Sequence, residues 1–159
     1  AITVIQNCDN LDEKIEVCDK AVGVEGSSIY LRKGEVISVK DLLYGLMLRS
    51  GNDTAECLAS CLTDRDKFIK LMNETALKCG AKNSNFVNPH GLPDDNHYTT
   101  AFDLAKISVR AIKNPIFKEI VSTNSILLFF LQPLFTLPPK GVNAASSTIP
   151  SVTSISSID

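Results

Sequence analysis

No run of basic residues occurs in this chain: 16 Lys and Arg face 18 Asp and Glu, a net charge of −2. A phosphate-tracking surface needs the opposite balance, so nucleic acid is not an expected partner. A spanning segment is lacking too. The longest apolar stretch, residues 126–137, contains Gln132 and Pro133 and falls short of the ~20 residues a transmembrane helix needs. No signal peptide is visible. Ala1 leads straight into Ile2, Val4 and Ile5 without a Met or a capping residue, as in a chain cut from something longer. Metal-ligand spacing is also absent. Cys8, Cys18, Cys57, Cys61 and Cys79 are five, so at least one thiol has no partner within the chain. Cys57 and Cys61 stand four apart on an expected helix, but no second Cys or His pair offers the four ligands of a zinc site. They are expected to be small buried hydrophobes. What is there, 159 residues with 44% hydrophobic, supports one domain with a real core.

Ile15 and Val17 alternate with Glu16 and Cys18, while Ile29 to Leu31 and Val36-Ile37 flank Arg32-Lys33-Gly34-Glu35. This pattern predicts short strands, the last two joined as a hairpin through Gly34. A capping box, Ser38 with Asp41, then opens a helix carrying Val39, Leu42, Leu43, Leu46 and Met47 on one face. A second helix restarts near Asp53 with Ala55, Leu58, Ala59 and Leu62. A third begins at Thr63, with Asp66 completing its cap, and Gly80 stops it. Residues 81–99 are nearly all turn formers, a length that marks a functional or disordered loop. Thr100 and Asp103 cap a fourth helix with Leu104, Ile107, Ser108, Ala111 and Ile112 on one face. Asn114-Pro115 opens a short fifth. From Asn124 onward the only charges are Lys140 and Asp159.

Ser50-Gly51-Asn52 lies at the junction of two of these helices, between Arg49 and Asp53. A hydroxyl and a carboxamide two residues apart at a helix entrance can both face one cleft. The plainer alternative makes Ser50 a helix stop and Asn52 an N-cap, since both types favour those places. His90 and His97 invite a Ser-His-Asp triad with Ser50 and Asp94 or Asp95. Both histidines sit in the turn-rich loop without an identified partner, so structural or rim roles are expected of them. Arg49 could meet a substrate carboxylate or form an ordinary ion pair.

Three blocks in register carry a resemblance. They are Gly26-Ser27-Ser28-Ile29-Tyr30-Leu31, then Asp41 through Leu42-Leu43-Tyr44-Gly45-Leu46-Met47-Leu48-Arg49 to Ser50-Gly51-Asn52-Asp53, then Phe86-Val87-Asn88-Pro89-His90-Gly91-Leu92. The last runs on to His97-Tyr98-Thr99-Thr100-Ala101 and Asp103-Leu104-Ala105. Over residues 1–123 the chain resembles the D-alanyl-D-alanine carboxypeptidases, the low-molecular-mass penicillin-binding proteins of serine peptidase family S11. The Asn88-to-Leu92 block argues against the neighbouring β-lactamase branch.

The resemblance implies an α+β fold of the β-lactamase/transpeptidase (DD-peptidase) type, here incomplete: a helical lobe over about 39–123 plus part of a mixed sheet from residues 15–37. It implies an acyl-enzyme mechanism without cofactor or metal, in which a Ser one helical turn ahead of a Lys attacks the penultimate D-Ala carbonyl. Ser50 matches the proton-relay serine and Asn52 the carboxamide that orients Lys and substrate, both catalytic. Arg49, Gly51, His90 and Gly91 are the expected substrate-binding positions. The partners implied are the peptidoglycan stem peptide and β-lactams, outside the cytoplasmic membrane, and full-length relatives are membrane-associated. A Ser-x-x-Lys and a Lys-Thr-Gly, which the mechanism requires, occur nowhere in the 159 residues. The expected domain is therefore a partial catalytic domain over 1–123, followed by a foreign tail over 124–159 of the kind a shifted reading frame leaves. A non-catalytic muropeptide-binding pseudoenzyme or cell-wall module is the alternative reading.

Overall fold

The Ser38 hydroxyl accepts the Asp41 N–H at 3.0 Å and so starts α2 (Val39–Arg49), satisfying one of the donors a helix start leaves open. Val39, Leu42 and Leu43 on this helix are wholly enclosed. The computed structural model describes residues 1–124. Before α2 come α1 (Ile2–Asn7), β1 (Lys14–Glu16), a short 3-10 turn (Asp19–Ala21) and β2 (Val36–Ser38). After it come α3 (Asn52–Ser60), α4 (Arg65–Lys78), α5 (Ala101–Ile112) and α6 (Pro115–Val121). Helix α2 packs between α3 and α6. Val4 of α1, Ile15 of β1, Leu58 of α3, Phe68 of α4 and Ile120 of α6 join it in one core. The chain divides into two units, Ala1–Ile126 and Leu127–Asp159. The segment beyond residue 124, read above as foreign to the domain, lies outside the described residues.

The strand expectation is corrected in its pairing. β2 runs antiparallel to β1, with Ile37 opposite Ile15, and not to residues 29–31, which form no strand. The ladder continues past the strand ends, with Val17 donating to the Glu35 carbonyl at 2.8 Å and Gly34 to Val17 at 3.0 Å. Ile29 and Leu31 cannot serve a ladder because their N–H groups go to the carboxylate of Asp53. The cap of α4 is also one residue later than expected: Asp64, not Thr63, accepts the Lys67 N–H at 3.0 Å. Thr100 and Asn114 cap α5 and α6 as their residue types predict.

Cysteine pairing is a further correction. Cys61 is not a free buried hydrophobe but is joined by a disulfide to Cys18, 43 residues away. The bond ties the 3-10 turn to the C-terminal end of α3. Cys57 does fit the expectation of a small buried side chain. Burial, and then the charges of Asp53 and Glu35, push its thiol up to about 12, so it is protonated and inert at neutral pH. The apolar face expected of α5 is largely uncovered. Ala111 is enclosed, whereas Leu104 and Ile112 are exposed along with Phe102 and Val109.

Candidate active site

Helix α2 ends because Ser50 turns left-handed at φ 53°, and the Ser50 and Gly51 N–H groups both return to the Gly45 carbonyl. Helix α3 begins two residues later, with Gly51 rather than Asn52 at its N-cap. Glycine is required there by space. A Cβ on Gly51 would lie 2.7 Å from Thr54 Oγ1 and 2.9 Å from Asp53 Oδ1. Thr54 Oγ1 in turn donates to the Gly51 carbonyl at 2.6 Å, tying the first turn of α3. This two-residue link turns the chain sharply and leaves Ser50 exposed at its corner.

A cavity of about 380 Å³ opens at that corner, lined by Ser27, Ser28, Tyr30, Leu48, Arg49 and Ser50. Asn52 stands beside it. Its N–H takes the Ser27 carbonyl at 2.7 Å, and its Nδ2 donates to the Glu25 carbonyl at 2.6 Å. Gly26, at φ +94°, allows this, since a Cβ there would come within 2.5 Å of Asn52 Nδ2. The Asn52 Oδ1 is left without a partner among the described residues. The loop that forms the opposite wall is held by Asp53, which is 1% exposed. Its carboxylate accepts the Ser28 hydroxyl at 2.6 Å, the Ile29 N–H at 3.1 Å, the Leu31 N–H at 3.0 Å and the Thr54 N–H at 2.9 Å. Sequence reasoning treated Asp53 as a helix start only. Three of its four partners lie 22 to 25 residues away, so no local signal named them.

The structure places Arg49 and Ser50 on the wall of this cavity, with Gly51 buried in the link behind Ser50 and Asn52 beside the opening, but it does not bring His90 and Gly91 there. The His90 ring lies against α3, with Nε2 3.8 Å from Glu56 Oε2 and an 11% exposed side chain. Its Nδ1 accepts the Leu92 N–H at 3.3 Å. Burial chiefly lowers its pKa, helped by Arg65 and His97 and opposed by Glu56, so the ring is held neutral. Glu56 also meets Arg65 Nε at 2.9 Å and Ser60. His97 accepts the Val87 N–H at 3.3 Å and sets its ring edge to Phe86. Neither histidine ring pairs with the carboxylate of Asp94 or Asp95 among the described residues, although the His97 backbone N–H donates to the Asp94 carbonyl at 2.9 Å. Gly91 stands in the turn that Asn88 closes, its N–H donating to Asn88 Oδ1 at 2.7 Å. A second cavity, about 340 Å³, lies between the end of α1 and the α3–α4 turn, near Asn7, Cys8, Leu62 and Phe68. It contains none of the junction residues.

A helical lobe against a small antiparallel sheet thus carries the Ser-Gly-Asn corner at an open cleft. The family model described as D-alanyl-D-alanine carboxypeptidase, Peptidase_S11, matches residues 4–132, and the chain belongs to that family. It is 35% identical over 104 residues to D-alanyl-D-alanine carboxypeptidase DacF of Bacillus subtilis, covering 65% of this chain and 27% of that protein. To the D-alanyl-D-alanine endopeptidase of Escherichia coli it is 35% identical over 136 residues, covering 84% of this chain and 43% of the relative. The fold superposes on the crystal structure of a D-alanyl-D-alanine carboxypeptidase of Mycobacterium tuberculosis with a TM-score of 0.74 at 27% identity, over 79% of this chain and 48% of that one. For the Streptomyces K15 DD-transpeptidase the TM-score is 0.68 at 34% identity, over 76% and 51%. The expected α+β DD-peptidase fold, incomplete, is therefore correct. The chain spans from about a quarter to just under half of the length of the curated relatives cited here.

Proposed function

We propose that this chain carries the proton-relay half of a serine-type D-Ala-D-Ala carboxypeptidase that trims peptidoglycan stem peptides outside the cytoplasmic membrane and is the target of β-lactams. The observation that carries this reading is the open, polar cavity with Ser50 on its wall and Asn52 beside it. Ser50, exposed and without a committed hydrogen-bond partner among the described residues, can pass a proton toward a leaving nitrogen. Asn52 keeps Oδ1 free to accept from a peptide N–H or an ammonium, because its Nδ2 is spent on Glu25. Gly51 removes any side chain between the two. Arg49 offers a cation for carboxylate recognition. No member of this set can itself act as the acylated nucleophile with a lysine base: the 159 residues contain no Ser-x-x-Lys and no Lys-Thr-Gly.

Two outcomes follow. An acyl-D-Ala-D-Ala peptide added to the 15N-labelled chain shifts the amide signals of Ser50, Gly51 and Asn52, and the L-Ala-L-Ala isomer does not. Labelled penicillin leaves no covalent adduct on the same chain by mass spectrometry. Equal response to both isomers, or an acylated Ser50, would refute the assignment.

A further inference from the structure

Among the described residues only two non-glycine residues are left-handed, Tyr30 at φ 63° and Ser50 at φ 53°. Both line the same cavity. Ser50 owes its conformation to the helix junction, but Tyr30 has no such need. It is 84% exposed, so its ring adds nothing to the core, and a glycine would fit its backbone better. The fold nevertheless forces it into place. Asp53 takes the N–H groups on either side of Tyr30, and the Tyr30 N–H itself donates to Ser28 Oγ at 2.9 Å. Backbone strain of this kind collects where a side chain must be presented to a ligand.

Across the cavity stands Arg49, exposed and without a carboxylate partner among the described residues. No Asp or Glu lines this cavity. Asp53, which holds the loop of its wall, is already surrounded by four donor groups. The cleft thus presents an unpaired planar guanidinium, hydroxyls and a raised aromatic ring, a combination that suits a carboxylate attached to an apolar stem.

Building on the function proposed above, we infer that Arg49 and Tyr30 form a second recognition point. It takes a free carboxylate borne by a residue upstream of the D-Ala-D-Ala end, with Arg49 pairing the anion and Tyr30 covering the stem that carries it. Arg49 is next to Ser50 in sequence, so this point lies within a residue or two of the bond that the relay serves. A stem peptide offers such a carboxylate from two sources, the side chain of a diamino-diacid third residue and the α-carboxylate of a γ-linked D-glutamate.

The test is calorimetric titration of the 159-residue chain with a diaminopimelate-containing stem pentapeptide and with two versions of it, one amidated at the D-glutamate α-carboxylate and one at the side-chain carboxylate of the diamino-diacid. Amidation at the recognised carboxylate weakens binding about three- to tenfold, as expected of a charged pair at an exposed rim. Arg49→Ala binds the acid and the amide alike, and Arg49→Lys recovers part of the preference. Tyr30→Gly keeps or raises thermal stability while weakening the peptide, which a purely structural tyrosine would not do. Equal binding of all three peptides, with the Ser50 amide still shifting, overturns this inference and leaves the cleft assignment standing. The same holds if Arg49→Ala still tells acid from amide. If no peptide binds and Ser50 does not respond, the cleft assignment falls and this inference with it.

Discussion

Replacing Asp53 by Asn changes one atom and should unfasten the loop that walls the cleft. The carboxylate accepts from one hydroxyl and three backbone N–H groups and offers nothing to donate. An asparagine in the same rotamer keeps one oxygen and turns the other into a donor. With the NH2 group at the Oδ2 position, the Leu31 N–H meets a donor, although Ser28 can reverse its hydroxyl and accept. With it at the Oδ1 position, the Thr54 N–H is the one abandoned. Either way one buried N–H loses its partner, at about 1–3 kcal/mol, and the remaining bonds lose their charge assistance. The sum is about 3 kcal/mol, a large share of the 5–15 kcal/mol that holds an ordinary domain. The urea midpoint should fall accordingly, with an unchanged slope. Hydrogen exchange should show where: the Ile29 and Leu31 amides lose protection while those of Leu42 and Leu43 in α2 keep theirs. A loss below about 1 kcal/mol, or unaltered protection at Ile29 and Leu31, would refute the view that Asp53 holds this loop.

Three further outcomes are expected. The Cys18–Cys61 bond closes a 43-residue loop, so the double variant Cys18→Ser/Cys61→Ser should lose about 4 kcal/mol in the loop-entropy model, and an unchanged urea midpoint would contradict it. Gly51→Ala places a Cβ against Thr54 and Asp53 and should cost about 1–3 kcal/mol, read by thermal unfolding; a neutral effect would show that the junction is loose. Acid should weaken the fold in two stages. The lowered pKa of His90 gives stability that is complete above the ordinary 6.5 and lost as pH falls through its folded value. At Asp103, burial is outweighed by the Asn83 N–H, Ser84 and Lys106, so its pKa lies below 3.8. Its contribution is complete above 3.8 and is lost only at lower pH. Denaturation followed against pH for His90→Gln and Asp103→Asn should lose the upper and the lower stage respectively, and profiles parallel to the parent would refute both assignments.

Local signals were legible in the sequence wherever a helix end and its cap are near neighbours. Ser38, Thr100 and Asn114 cap α2, α5 and α6 because each side chain reaches an N–H two or three residues on. At α4 two adjacent residues, Thr63 and Asp64, could both have capped, and sequence alone could not choose between them. Long-range partnerships were not legible. Ile29-Tyr30-Leu31 has the composition of a strand, but the Ile29 and Leu31 amides are claimed by Asp53 more than twenty residues later and the Tyr30 amide by Ser28. Cys61 looked like half of a helical i, i+4 pair with Cys57, yet its partner is Cys18 across the fold. The Ser50–Asn52 junction was visible as a motif, whereas its cavity depends on the far wall at Ser27, Ser28 and Tyr30. His90 was expected at substrate, but its ring lies against α3, 3.8 Å from Glu56, 34 positions earlier in the chain.

The claim on which everything else depends is that the Ser50–Asn52 corner faces a bound peptide. A crystal structure of the chain soaked with an acyl-D-Ala-D-Ala peptide tests it directly. The account predicts that the terminal peptide bond lies within hydrogen-bond reach of Ser50 Oγ and Asn52 Oδ1, with Tyr30 and Arg49 flanking the upstream residue. Peptide density in the cavity near Asn7 and Phe68, with the Ser50 corner empty, would contradict it.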